Sequence, residues 1–151
     1  MLQHLTEFSS SPGSRAIVSP VIAWFIAQAI KVVISLIRDK RLNLSYLVSM
    51  GGMPSAHASL VCSLATVMGV TQGTDSPEFA ISAIFAAVVM YDAAGVRQAV
   101  SKQARILNKV IDQMSRHEPV PEARLRELVG HTRLEVFAGA ILGVAVGLWL
   151  P

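Results

Sequence analysis

The sequence of 151 residues has little charge and almost no cysteine. Charged residues make up 15% of the chain, against about 25% in a typical soluble domain, which argues against a water-facing monomer. A single cysteine, Cys62, excludes a disulfide scaffold and a zinc cluster built from cysteines. The first twelve residues lack the basic start of a cleavable signal peptide, so none is expected. The length predicts one domain, residues 1–151.

Apolar sequence is abundant, because 52% of the residues are hydrophobic, and this excludes a disordered chain. Four apolar runs predict helices at 16–37, 55–72, 77–96 and 131–150. A bilayer-crossing helix needs about 20 mostly apolar residues. The first run is long enough by itself. The other three reach this length only when the polar residues that precede them are included. A soluble bundle is the alternative, but its helices would carry polar outer faces. The sequence therefore predicts an all-α, polytopic membrane bundle of about four transmembrane helices.

A polar insert, residues 98–129, separates the third and fourth runs. Apolar residues recur in its first part at intervals of four, three, four and three, which predicts an amphipathic helix. These residues are Val100, Ala104, Leu107, Ile111 and Met114. Two interpretations stay open: the helix caps the bundle, or it lies in the headgroup layer of the membrane.

The basic residues of the loops are distributed unevenly between the two sides of a four-span chain. One side receives Arg15 alone, and the other receives ten. The ten are Arg38, Lys40, Arg41, Arg97, Lys102, Arg105, Lys109, Arg116, Arg124 and Arg126. Basic loops stay in the cytoplasm, so we predict a cytoplasmic insert and outward-facing termini. The expected location is a bacterial inner membrane or an equivalent organellar membrane.

Unusual polar residues lie near the cytoplasmic ends of the predicted spans. Lys31 and Arg38 are seven residues apart and so share a helix face. Residues 51–57 form a glycine-containing loop that enters a helix, where free backbone N–H groups favour an anion. Taken singly, these features are also explained by a snorkelling lysine, an interfacial arginine and a structural His57.

His131 and Glu135 are spaced so that the carboxylate can accept a hydrogen bond from the imidazole and raise the basicity of its other nitrogen. A buried polar clasp explains this pair equally well. Asp92 and Arg97 close the third predicted helix, where an ion pair is the simpler reading. The topology nevertheless brings all these groups to one end of the bundle, which predicts a phosphate site. The carboxylates are too few for a good divalent-metal site, and no cofactor is expected.

Three motifs resemble those of the type 2 phosphatidic acid phosphatase (PAP2) superfamily. They are Lys31-x6-Arg38, Pro54-Ser55-Ala56-His57 and His131-x3-Glu135. Residues 51–57 and 91–97 more closely resemble the divergent PAP2 group of small membrane proteins. The resemblance runs from about Lys31 to Gly147 and implies a PAP2-like helical core. Asp39, Ala56 and Glu135 stand where the superfamily motifs have proline, glycine and aspartate.

The resemblance implies metal-independent phosphoryl transfer through a phosphohistidine. It makes His131 the nucleophile, Glu135 the residue that orients it, and His57 the acid that protonates the leaving oxygen. The implied phosphate-binding residues are Lys31, Arg38, Ser55 and Arg97, with Arg126 as the alternative to Arg97 and with Asp92 and Gly52 in support.

The leading hypothesis is therefore a membrane phosphatase acting on a lipid phosphate or an isoprenoid pyrophosphate, with membrane lipids but no nucleic acid as partners. The alternative is a non-catalytic protein that binds anionic lipid headgroups. A small transporter or proton relay is less favoured, because its ionisable groups would extend through the membrane depth. Gly139, Gly143 and Gly147 predict close helix packing, either within the chain or at the seam of a homodimer.

Overall fold

The computed structural model describes residues 11–39, 52–114 and 132–150, which are helical apart from short turns. The described residues contain no strand, so the predicted all-α class is confirmed. A π-helical turn joins the third helix to the fourth. The elements are α1 (Pro12–Asp39), α2 (Ala56–Gln72), α3 (Pro77–Tyr91), the π-helical turn (Asp92–Val96), α4 (Arg97–Met114) and α5 (Arg133–Trp149).

Local sequence determines where the helices begin. The side chain of Ser55 accepts a hydrogen bond from the N–H of Ala58 at 3.4 Å and caps α2. Ser76 caps α3 in the same way, accepting from the N–H of Phe79 at 3.2 Å. Helix α2 ends at Gly73, whose φ of 90° favours glycine. The two serine caps satisfy backbone N–H groups at the helix starts that have no partner within the helix.

The helix bounds follow the predicted runs, with two differences. Helix α1 is longer than the predicted 16–37, because Pro12 suits the first turn of a helix and the polar residues after it continue the helix. The third run was expected to form one helix over 77–96, but regular α-helix ends at Tyr91 and the last five residues form the π-helical turn. The amphipathic helix predicted in the insert is α4.

Two segments are long and apolar enough to cross a membrane. They are Gly13–Ile37 and Pro77–Gly95, with mean hydropathies of 2.0 and 1.5. Helices α2 and α5 have 17 residues each, which corresponds to about 25 Å of helix. This length is at the lower limit for crossing a hydrocarbon core of about 30 Å.

Helix α2 lies at the centre of the described bundle. It packs against α1, α3 and α5, and α1 also contacts α5. Helix α4 differs, because its main contacts in the described part of the chain are with the π-helical turn. Within the described part of the chain, α4 therefore contributes little to the packing of the bundle.

The bundle exposes large apolar side chains and buries small polar ones. Phe25, Ile84 and Phe137 are 60%, 66% and 65% exposed. Most of the buried polar side chains are serines: Ser14, Ser19, Ser35, Ser55, Ser59, Ser63 and Ser82. Continuous apolar surface of this kind is unfavourable in water but suits lipid, where hydrocarbon surrounds the outer faces. This distribution agrees with the predicted membrane location.

A row of glycines on α5 packs against the backbone of α2. A Cβ atom added at Gly139 would fall on the carbonyl oxygen of Ser55, and one added at Gly143 would fall on that of Ser59. At Gly147 the nearest atom would be Cβ of Thr66, at 2.7 Å. The glycines therefore pack within the chain, which is one of the two predicted arrangements, and α2 leaves no room for a second copy on this face. Homodimerisation through another surface stays a prediction.

Serine side chains of α2 bond it to α1. The hydroxyl of Ser59 donates a hydrogen bond to the carbonyl oxygen of Ala23 at 3.1 Å. The hydroxyls of Ser19 and Ser63 are 2.9 Å apart and share a hydrogen bond. Interhelical bonds of this kind hold helices together in lipid, where apolar burial drives their association only weakly.

We expect Gly143→Leu to destabilise the protein, because the new side chain would meet the α2 backbone. Ala145→Leu is the matched control, since Ala145 is exposed on the same helix. Overpacking of this kind costs about 1–3 kcal/mol or more. Thermal unfolding in detergent measures it: Gly143→Leu should unfold at a lower temperature or fail to accumulate, while Ala145→Leu should resemble wild type. Equal stability of the two variants would contradict the glycine packing.

Candidate functional site

Lys31 is a buried cation on the inner face of α1, with only 3% of its surface exposed. Its aliphatic chain lies beside Gly52, where an added Cβ atom would be 3.9 Å from both Cγ and Cδ of the lysine. Gly52 has a φ of 93°, which favours glycine. The ammonium group interacts electrostatically with the carboxylate of Glu135 on α5. A charged side chain within an apolar bundle requires such a partner.

The beginning of α2 is bonded directly to the beginning of α5. The backbone N–H of Ser55 donates a hydrogen bond to the carbonyl oxygen of Glu135 at 2.9 Å. Ser55 is fully buried at this junction. His57 lies two residues further on, in the first turn of α2, where it is half-buried and its Nδ1 atom is buried. The junction therefore places the predicted acid close to the α5 segment that begins just after His131.

Glu135 also takes part in a capping box with Thr132. Its Oε2 atom accepts a hydrogen bond from the N–H of Thr132 at 2.8 Å. In return, the Thr132 hydroxyl oxygen accepts from the N–H of Glu135 at 3.3 Å. The predicted bond from His131 to this carboxylate lies outside the described residues and stays a prediction. The bond from Thr132 was not predicted. The Thr-x-x-Glu spacing before an apolar run is itself a capping-box signal and could have found it.

Asp92 lies at the same end of the bundle, because the adjacent residue Ala93 packs there. Ala93 packs in a buried cluster with Ala58 of α2 and Val136 of α5. Asp92 itself is the first residue of the π-helical turn and is half-buried. The π-helical turn after α3 and the first turns of α2 and α5 thus pack together through one small apolar cluster.

Several predicted site residues lie wholly or partly outside the described part of the chain. His131 and Arg126 are outside it altogether. The backbones of Arg38 and Arg97 are described, at the end of α1 and at the start of α4, but their side chains are not. The roles of these four residues stay predictions.

The described groups form an environment that suits an anion. Helices α2 and α5 begin side by side, and each helix N-terminus carries partial positive charge. Lys31 adds a basic side chain that interacts electrostatically with Glu135. Among the described residues, no group of three or more His, Cys, Asp and Glu side chains is placed to hold a metal ion. The described groups at this end of the bundle are the Lys31 amine, the His57 imidazole, backbone N–H groups and the carboxylates of Glu135 and Asp92. A phosphate site among them stays a prediction.

These features define the chain as an all-helical membrane protein with a polar cluster at one end. Its sequence matches the Divergent PAP2 family over residues 13–146, and the chain belongs to that family. The family predicted from the motifs is therefore confirmed.

A curated relative supports the same assignment. The chain is 38% identical over 145 residues to a Bacillus subtilis (strain 168) protein named "Uncharacterized membrane protein YuiD". The alignment covers 89% of this chain and 92% of the relative. No solved structure matches the chain significantly.

Replacing Thr132 tests the capping box. We expect Thr132→Ala to cost about 0.5–2 kcal/mol, because the N–H of Glu135 loses its acceptor. Thr132→Ser keeps the hydroxyl and serves as the matched control. Thermal unfolding in detergent should rank the two variants in that order. If Thr132→Ala and Thr132→Ser unfolded at the same temperature, the capping box would have no role in stability.

Proposed function

We propose that this protein is a metal-independent membrane phosphatase that works through a phosphohistidine. The observation that supports it best is the convergence of α1, α2 and α5 on one small region. Lys31 interacts with Glu135, while Ser55 is bonded to the backbone of that same residue. These residues belong to three separate motifs that the PAP2 superfamily uses for one phosphate site.

In the proposed first step, a ring nitrogen of His131 attacks phosphorus, forming a P–N bond as the bond to the leaving oxygen breaks. His57 donates its proton to that oxygen. Water then attacks the phosphohistidine, which releases phosphate and frees His131. Lys31, Arg38 and Arg97 stabilise the charge on the non-bridging phosphate oxygens, with a hydrogen bond from Ser55 and support from Asp92 and Gly52.

Glu135 has two proposed tasks in this scheme. One carboxylate oxygen, Oε2, fixes the start of α5 by accepting from Thr132. A carboxylate has about four acceptor positions on its two oxygens, so it retains capacity to orient the imidazole of His131. His131 directly precedes Thr132 in the sequence, which supports this second task.

The proposed substrates are lipid phosphates and isoprenoid pyrophosphates. Their charged heads match the cluster of Lys31 and the two helix N-termini. Their hydrocarbon tails match the apolar outer faces of the bundle, which include Phe25 and Phe137. A substrate of this type reaches the site from the membrane without leaving lipid.

We further propose four spans, with α2 and α5 crossing the membrane alongside the two longer apolar segments. Both helices have 17 residues, and the turns that precede them add length. Four crossings place the cluster on the side that carries the basic insert, which is the cytoplasmic side.

A non-catalytic role in binding anionic lipid headgroups is the second candidate. The observation that favours it is the engagement of Glu135 by both Thr132 and Lys31. A carboxylate held in this way serves helix stability and charge balance, which a binding protein needs as much as an enzyme does. Binding of lipid phosphate without turnover would identify this role.

The first functional test measures phosphate release from a panel of lipid phosphates and isoprenoid pyrophosphates in EDTA. We expect wild-type protein to release phosphate and His131→Ala to lose all but residual activity, because the nucleophile is absent. His117→Ala is the matched control, since His117 lies outside the motifs, and it should retain activity. Activity that required a divalent metal, or that survived in His131→Ala, would refute the proposal.

The second functional test separates acid catalysis from structure at His57. We expect His57→Ala to lose most activity on substrates with an alkoxide leaving group, which needs a proton. It should lose much less on p-nitrophenyl phosphate, whose leaving group scarcely needs one. Ratios of kcat/KM between variant and wild type measure the difference. Equal losses on both substrates would assign His57 a structural role.

The third test concerns topology, in a Cys62→Ala background. Lys109→Cys lies on α4 and Thr74→Cys lies in the turn between α2 and α3, and both positions are exposed. In intact cells an impermeant thiol reagent should label Thr74→Cys but not Lys109→Cys, because only the turn faces outward. Lysis should make Lys109→Cys reactive. The opposite pattern would reverse the proposed orientation.

A further inference from the structure

Helix α4 carries an apolar stripe that no described part of the chain covers. Ile106, Leu107 and Val110 are 62%, 50% and 44% exposed. Successive residues are about 100° apart around a helix, which places these three on one side and the exposed Arg105 and Lys109 on the other.

Helix α4 is not exposed to solvent on all sides. Ala104 and Asn108 are each only 7% exposed, so one face of α4 is buried while the adjoining stripe is open. Within the described bundle, the main packing partner of α4 is the π-helical turn. The buried face and the open stripe therefore lie on different sides of α4.

In the proposed four-span topology, the beginning of α4 lies at the level of the membrane surface. The apolar segment Pro77–Gly95 ends inside the π-helical turn, and α4 follows without a connecting loop. Tyr91 lies at the end of α3 and is 77% exposed. Exposed tyrosines at the ends of membrane helices are typical of the headgroup layer.

The charge of α4 complements an anionic surface. The helix contains four basic residues and one acidic residue, Asp112, which gives it a formal charge of +3. The basic residues are Arg97, Lys102, Arg105 and Lys109. Cytoplasmic leaflets are rich in anionic lipids that attract clusters of this type.

We propose that α4 lies in the headgroup layer of the cytoplasmic leaflet and binds anionic phospholipids. Ile106, Leu107 and Val110 enter the boundary between headgroups and acyl chains, while Arg105 and Lys109 contact lipid phosphates. Docking of α4 also fixes the depth of its first residue, Arg97, relative to the membrane surface. The inference depends on the membrane location and does not require phosphatase activity.

The test uses the full-length protein with Cys62→Ala, reconstituted into vesicles of phosphatidylglycerol and phosphatidylcholine. A spin label is attached at Leu107→Cys or, as the matched control, at Arg105→Cys on the opposite face. Electron paramagnetic resonance then measures collisions with oxygen, which concentrates in lipid, and with a water-soluble nickel chelate. We expect the Leu107 label to favour oxygen and the Arg105 label to favour nickel.

Two results at Leu107 would overturn the proposal. A label that collides mainly with nickel would show that the stripe faces water. A label shielded from both reagents would show that protein covers it, either a second copy of the chain or another segment of the same copy.

The same Leu107 label tests whether docking of α4 requires anionic lipid. In vesicles of phosphatidylcholine alone, its collisions should shift from oxygen toward nickel, because the basic residues lose their partners. Arg105→Gln with Lys109→Gln should produce the same shift in the mixed vesicles. An identical oxygen preference in both vesicle types would overturn the anionic-lipid part of the proposal. Unchanged thermal unfolding of the double variant controls for loss of the fold.

Discussion

The close approach of α2 and α5 is the constraint on which the rest of the structure depends. It is possible because Gly139 and Gly143 present no side chain to the backbone of α2, where a Cβ would collide with carbonyl oxygens. At this separation the N–H of Ser55 reaches the carbonyl oxygen of Glu135. The N-cap of α2 consequently lies against the first two turns of α5, and residues of two distant motifs become neighbours.

The bundle follows the physical rules of a lipid environment. Large apolar residues such as Ile84 and Phe137 face outward. Lipid tails are as apolar as these side chains, so burying them between helices gains little. Cohesion therefore depends on close backbone packing and on hydrogen bonds such as that between Ser59 and Ala23. Lys31 fits this scheme because it lies near the end of the bundle and interacts with Glu135.

The sequence predicted the helices well, because apolar runs and capping residues such as Ser55 are local signals. It also predicted the family and the end of the bundle where the polar groups meet. It did not identify the hydrogen bonds between α2 and α1, since the serines of α2 lie within an apolar run and their partners are distant in sequence. The capping box between Glu135 and Thr132 was not recognised, although Thr-x-x-Glu is a local signal. The predicted bond from His131 to Glu135 stays a prediction, because His131 lies outside the described residues. The π-helical turn at Asp92 had no recognised local signal.

The central claim is that the junction of α2 and α5 forms a phosphate site in which His131 becomes phosphorylated. Rapid quenching of the wild-type protein with a substrate radiolabelled in its phosphate, in EDTA, tests this claim most directly. The account predicts a covalent label that is stable to base, labile to acid and located on His131 by peptide mapping. Rapid turnover with no covalent label, or with a label on another residue, would contradict it.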